Sequence, residues 1–247
     1  MVEKRNPDLL GIGVMKSGTS WIYRQLKHHP QVGIPRFMGK RCKEMHFIDQ
    51  GRMTMGDYCR RFGRLQAHKV IEFTPEYICC PYAAEFIKHH FPNTKLIAVF
   101  RNPTDRAFSH YKDHLFYGRI PAGLSFLEAF HNDHPKDRQF CYSIKEKGRY
   151  GTLLAKWFGV FTSEQLKVMF YDDLVTDPDK FIYEVYEWVG VEPSWRGRKL
   201  LEKHVKKYNL ALDGLKLEDK VRQEIVDFYK SEVSQMEDIV KRKLNWS

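Results

Sequence analysis

The sequence is poor in cysteine, has no linker and contains no long apolar run. Its five cysteines (Cys42, Cys59, Cys79, Cys80 and Cys141) are odd in number, two are adjacent, and none forms a CxxC pair. That pattern argues against a disulfide framework or a zinc site and reads as reduced thiols, so a cytoplasmic location is expected. No stretch approaches the ~20 uninterrupted apolar residues of a membrane span. The opening MVEKRNPDLLGIGV has no apolar leader segment. No repeat, low-complexity tract or Gly/Ser-rich or Pro-rich linker divides the chain, so one domain over residues 1–247 is expected. Acidic residues are scarce as well: 31 Asp plus Glu face 41 Lys plus Arg, a net charge of +10. That excess favours an anionic partner, whether nucleic acid, phosphorylated cofactor, acidic glycan or membrane surface, without choosing among them.

The remainder is a globular chain, 43% hydrophobic and 29% charged, long enough to bury about 70% of its unfolded surface. Four short apolar runs read as buried strands: Leu9–Met15, Val70–Phe73, Lys95–Phe100 and Leu166–Tyr171. Helical patterns lie between them, at Thr19–His29, Tyr82–His90, Thr104–Tyr117, Gly151–Phe161 and Asp179–Val189, and a long terminal helix is expected within Leu217–Leu244. Ser125 and Glu128 have capping-box spacing. The His28–His29 and His89–His90 pairs, at helix ends, read as surface groups or C-terminal charges. Strands alternating with helices predict an α/β, P-loop-like three-layer fold, with a central parallel sheet of about four to five strands flanked by helices. Ligands of such sheets bind beyond the carboxyl ends of the strands, here near Lys16, Thr74, Arg101 and Asp172.

The first exit, GIGVMKSGTSWIY, has the layout of a phosphate cradle. Gly18 permits close backbone approach, the amides of Gly18, Thr19 and Ser20 open a helix, Ser17, Thr19 and Ser20 add hydroxyls, and Lys16 adds a charge. The spacing misses the nucleoside-triphosphate loop GxxxxGK[ST], because Thr19 stands where the lysine belongs. A plain structural turn is the alternative. The third exit, KLIAVFRNPTDRAFSHY, puts Arg101 in a loop and Ser109 two turns along a helix, a pair suited to holding a phosphate. There the alternative is an Arg101–Asp105 ion pair.

Taken together, KSGTSWIY and RNPTDRAFSHY resemble the sulfotransferase superfamily, and nearer its heparan-sulfate-type and bacterial carbohydrate branch. KEMHFID (43–49), IEFTPEY (71–77), GRYGTLLAKWFGVF (148–161), LKVMFYDDL (166–174) and Trp246 add to the likeness. The resemblance implies a single sulfotransferase domain that uses 3′-phosphoadenosine 5′-phosphosulfate and releases adenosine 3′,5′-bisphosphate. It implies that Lys16, Ser17, Gly18, Thr19 and Ser20 bind the 5′-phosphosulfate, and that Arg101 and Ser109 bind the 3′-phosphate. It puts Tyr150 near adenine, with Lys206 and Lys207 in a loop over the 3′-phosphate. Glu44 is implied as the base and Lys16 as the group that stabilises the leaving phosphate. His46 is the second base candidate or orients Glu44, and Asp49 is a candidate acceptor for His46. Three departures point away from heparan sulfate itself: Phe73 replaces a frequent lysine, Ser20 replaces a frequent arginine, and no late cysteine pair occurs.

The implied reaction is O-sulfation of a carbohydrate or small molecule, with no metal and no nucleic-acid partner. Two rivals remain at this point. One is a P-loop-type nucleotide kinase or NTPase. The other is a basic nucleic-acid-binding or glycan-binding protein without catalysis, suggested by Arg36, Lys40, Arg41 and Lys43 and by Arg60, Arg61 and Arg64.

Overall fold

Leu9–Gly13, buried at all five residues, forms strand β1 at the centre of a sheet. Both of its faces are covered, so the run needs no polar alternation. The computed structural model describes residues 5–37, 40–132, 143–193 and 214–246. These fall into two compact units, Met1–Phe100 with Trp157–Gly197 and Arg101–Lys156 with Arg198–Ser247.

The first unit holds the sheet. Strands β2 (Val32–Gly33), β5 (Lys69–Phe73), β1, β6 (Lys95–Phe100) and β7 (Leu166–Phe170) lie in that order, and every pairing is parallel. Leu9 sits beside Ile71 on one side and Lys95 on the other, and Leu96–Phe100 runs in register with Leu166–Phe170. Two further short strands, β3 (Arg36–Phe37) and β4 (Lys40–Arg41), pair with each other antiparallel. Four of the five sheet strands are those expected from the sequence. The fifth, β2, has only two residues and carries no periodic signal.

One face of the sheet is covered by helices α1 (Thr19–His28) and α9 (Pro178–Val189). Leu9, Ile71, Phe73, Ile97, Val99 and Met169 pack there against Ile22 and Leu26 of α1 and Phe181 and Val185 of α9. Gly11 leaves room for the Phe73 ring, since a Cβ at that position would lie 2.0 Å from it. Phe73 is therefore a core residue. The opposite face carries Glu72, which meets Tyr58 of helix α3 (Met55–Gly63). A short α2 (Phe47–Gln50) packs on α4 (Ala83–His90) through Phe47 and Phe86. Helix α3 has no counterpart in the sequence reading. Its signals were a Thr54 cap and the Tyr58, Cys59, Phe62 spacing. His29 is a correction: it is buried rather than a surface group, with Nε2 2.9 Å from the Glu192 carbonyl.

The second unit is helical: α5 (Pro103–Phe116), α6 (Phe126–His131), most of α7 (Tyr150–Phe158) and α10 (Asp219–Val240). The Ser125–Glu128 capping box is formed as expected. Ala107, Tyr111 and Phe130 pack with Ile225 and Tyr229 of α10. The terminal helix stops at Val240, where Lys241 turns left-handed, four residues short of the expected limit. In the first unit again, α8 (Tyr171–Thr176) follows β7, with Asp172 and Asp173 in its first turn, where a helix dipole favours acids. Among the described residues no helix is long and apolar enough to cross a membrane.

Candidate functional site

The loop between β1 and α1 is the first part of the site. Lys16 and Gly18 both have positive φ, 70° and 91°. A Cβ on Gly18 would meet Leu174 at 3.0 Å and Tyr171 at 3.1 Å, so glycine is required there for conformation and for space. Helix α1 starts at Thr19 with no side-chain cap on its first amides and no acidic residue in its first turn. Its positive end therefore has no anion from its own sequence. Ser17 is fully buried and its Oγ has no hydrogen-bond partner. An orphaned hydroxyl beside uncapped helix amides is the chemistry that a phosphate or sulfate oxygen satisfies.

The segment 43–49 supplies the second part. Glu44 Oε2 lies 3.4 Å from His46 Nε2, and His46 Nδ1 lies 2.7 Å from Asp49 Oδ2. Burial pushes the Glu44 carboxyl up, but the His46 hydrogen bond and the Lys43 charge outweigh it and hold the group at about 2. Burial pulls His46 down, while hydrogen bonds to Asp49 and Glu44 raise it to about 9. At neutral pH the pair is a carboxylate and an imidazolium whose two N–H groups point at two acids. Lys43 completes the cluster. Its Nζ donates to Glu44 Oε1 at 2.9 Å, to Ser20 Oγ at 3.0 Å and to Thr19 Oγ1 at 3.4 Å. One ammonium thus ties the anion cradle to the carboxylate.

His46 is left-handed, with φ of 49°, and the backbone around it is anchored from the end of β5. The amide of Met45 donates to Glu72 Oε1 at 3.0 Å, that of His46 to Thr74 Oγ1 at 3.4 Å, and that of Phe47 to the Tyr77 hydroxyl at 3.2 Å. Glu72 also accepts from Tyr58, Thr74 and Tyr77. Burial raises the Glu72 carboxyl above its ordinary value, against those hydrogen bonds. From the sequence, Asp49 was the candidate acceptor for His46. Glu44 and His46 meet, and because α2 begins at Phe47, Ile48 turns into the core and Asp49 comes to His46 as that reading had it. Glu76 also reaches this place: Glu44, His46 and Glu76 offer ligand atoms within 4.8 Å of one another, a set that could hold a cation. A protonated His46 opposes ligation.

In the second unit, Arg101 follows β6 directly and Asn102 caps α5. The Asn102 side chain accepts from the amides of Thr104 and Asp105, with Pro103 as the first helical residue. Ser109 lies two turns along α5 and is half-buried. Asp105 pairs with Arg222 at 2.8 Å, rather than with Arg101 as the structural alternative had it. Tyr150 is fully buried, with its ring edge-on to Trp246 at 6.1 Å. Packing neighbours surround it where the resemblance suggested an adenine contact. Lys206 and Lys207 lie outside the described residues. Glu72, Glu76 and Tyr77 were not among the sequence-derived site residues, Thr74 only marked a strand exit, and Lys43 counted only as part of a basic cluster. Their signal lay in KEMHFID and IEFTPEY, which were noticed as motifs without roles for these positions.

A family described as "Sulfotransferase domain" matches residues 6–213. Among curated proteins, the human heparan sulfate glucosamine 3-O-sulfotransferase 6 is 31% identical over 205 residues, covering 81% of this chain and 56% of that protein. A Caenorhabditis briggsae bifunctional heparan sulfate N-deacetylase/N-sulfotransferase 1 is 28% identical over 202 residues, covering 76% of this chain and 23% of that protein. The chain thus spans about half or less of the length of these relatives. Among solved structures, a sulfotransferase from Alicyclobacillus acidocaldarius has a TM-score of 0.81 at 24% identity, covering 98% of both chains. A mouse sulfotransferase complexed with PAP has a TM-score of 0.50 at 16% identity, covering 95% of this chain and 68% of that one.

Proposed function

Because the chain belongs to the sulfotransferase domain family, we propose that it transfers a sulfuryl group from 3′-phosphoadenosine 5′-phosphosulfate to a hydroxyl of a carbohydrate or small-molecule acceptor. The observation that carries this reading is the Lys43 bridge, which puts the carboxylate of Glu44 one ammonium away from the hydroxyls of the anion cradle. A base and an anion site joined in this way suit in-line group transfer, where positioning and charge stabilisation do most of the work. The donor supplies an activated sulfur, so that the acceptor oxygen gains the S–O bond and the bond to the 5′-phosphate oxygen breaks.

The residues divide the remaining tasks. Ser17, Thr19, Ser20 and the first amides of α1 hold the 5′-phosphosulfate, and Lys16 meets the charge that develops on the leaving phosphate. Glu44 takes the acceptor proton. His46 holds the carboxylate at Nε2 and is held at Nδ1 by Asp49, which fixes the direction in which Glu44 points. Arg101 and Ser109 take the 3′-phosphate. The contributions of Lys206, Lys207 and Tyr150 rest on the resemblance alone. The relatives include both 3-O-sulfotransferases and N-sulfotransferases, so transfer to oxygen rests on the resemblance and the acceptor screen includes amines. The family match, over residues 6–213, draws on both units, which supports one functional domain across them.

The test is an acceptor screen with labelled donor over carbohydrates, small alcohols and amines, with and without a chelator. Label should pass to a hydroxyl compound, and chelation should not matter, because Lys16 and the amides supply the positive charge. No transfer of label, together with Mg²⁺-dependent turnover of ATP, would return the nucleotide kinase reading to the front.

A further inference from the structure

Lys43 belongs to neither phosphate motif, yet all three of its ammonium protons are committed at the point where cradle and base meet. It donates to Ser20, Thr19 and Glu44, and its side chain is only 19% exposed. The placement is electrostatically unusual. The start of α1 is the positive end of a helix, where a cation is disfavoured unless an anion accompanies it. The first turn of α1 has no acid, and the anion beside Lys43 is Glu44, contributed by a different segment. An anion entering the cradle would compete with Glu44 for that ammonium. Lys43 brings a full positive charge to the Ser20 hydroxyl, 3.0 Å away.

The geometry points to Lys43 as a donor-contacting catalytic residue that serves two anions in turn: Glu44 when the cradle is empty, and the 5′-phosphosulfate oxygens when it is filled. The assignment rests on the sulfotransferase reading above. It differs from the role of Lys16, which meets charge on the leaving oxygen. Its consequence is coupling. Filling the cradle draws Lys43 away from Glu44 and removes one of the two cationic partners that depress the basicity of that carboxylate, so the base is readied by donor binding.

The experiment is calorimetry on the whole chain with two nucleotides, adenosine 3′,5′-bisphosphate and adenosine 3′-phosphate, which lacks the 5′ group. Lys43→Met should weaken the bisphosphate about 5- to 20-fold, below the full value of a charged hydrogen bond because Glu44 must be given up. It should leave the 3′-phosphate unchanged, and Lys43→Arg should recover most of the loss. Glu44→Gln should tighten the bisphosphate about 2- to 5-fold in the wild-type background and not at all in Lys43→Met, a non-additive cycle that a purely structural lysine would not produce. Equal loss for both nucleotides, no loss, or additive effects would overturn the assignment while the donor reading stood. Failure of the wild-type protein to bind the bisphosphate would overturn the donor reading itself, and this inference with it.

Discussion

The buried carboxyl of Glu72 accepts the backbone N–H of Met45 at 3.0 Å, one residue beyond Glu44. A group fully inside the sheet face thereby sets the position of a side chain that is a third exposed.

Removing that anchor should harm stability and turnover together. Glu72→Ala leaves the Met45 amide and the Tyr58 hydroxyl without their buried partner, and it should cost about 2–5 kcal/mol in a urea titration, the sum of a lost core side chain and orphaned polar groups. Glu72→Gln keeps the shape of a neutral carboxyl and should cost less. The burial that raises the Glu72 carboxyl makes its contribution fully present below the ordinary glutamate value and lost as pH rises through its raised value. The gap between wild type and Glu72→Gln should therefore shift in favour of the variant as pH increases. A gap that moves the other way would show that Glu72 is ionised and better satisfied than its burial implies.

The 3′-phosphate contact has its own signature. Arg101→Ala should weaken binding of adenosine 3′,5′-bisphosphate by about 1.5–3 kcal/mol, the scale of a charged hydrogen bond. It should have little effect on adenosine 5′-phosphate, which lacks the group that Arg101 and Ser109 are proposed to hold. Equal losses for the two nucleotides in calorimetry would remove Arg101 from that role.

Glu44 and Lys16 should separate kinetically. Glu44→Gln keeps the size of the side chain but not its basicity, and should slow single-turnover transfer by about 10²–10⁴-fold, the span of general-base catalysis, without weakening donor binding. Lys16→Ala should damage both, because its charge acts on the ground state and the transition state. Wild-type transfer by Glu44→Gln would make His46 the base to test next.

The ion pair also predicts a pH window. Glu44, depressed to about 2, contributes stability above its ordinary value, and this contribution is lost as pH falls through about 2. His46, raised to about 9, contributes below its ordinary value and loses that contribution as pH rises through about 9. The difference in Tm between wild type and His46→Gln should be largest at about pH 5–6 and shrink toward pH 9 and toward pH 2. A difference that stays flat across this range would show that the pair contributes no charge-dependent stability.

Much of the sheet was readable because its strands are short apolar runs flanked by helices of clear period: Lys95–Phe100 needed nothing beyond its own composition. Val32–Gly33 was not readable, since two residues carry no period and gain their place only by pairing with Lys69 and Val70. Helix α3 was hidden by its polar surface, Arg60, Arg61 and Asp57, around only three buried residues. At the site, Glu44 and His46 could be found from their motif, whereas the contacts of Lys43 with Thr19 and Ser20 join segments whose separation in the chain follows no rule. Asp49 was readable as a partner of His46, but the left-handed turn that delivers it is imposed by Glu72, Thr74 and Tyr77, and no spacing within 43–49 announces it.

The parallel sheet carries a cost in time. β1 is the first of its strands to be synthesised, yet both of its neighbours, β5 and β6, come much later in the chain. No hairpin can cover it early, and a sheet built from such distant pairings closes slowly. On the ribosome, the segment LLGIG waits with both edges open until Lys69–Phe73 has emerged, and with one edge open until Lys95–Phe100 follows. Throughout that interval it is an apolar strand with an unpaired edge, the kind of surface on which nascent chains aggregate.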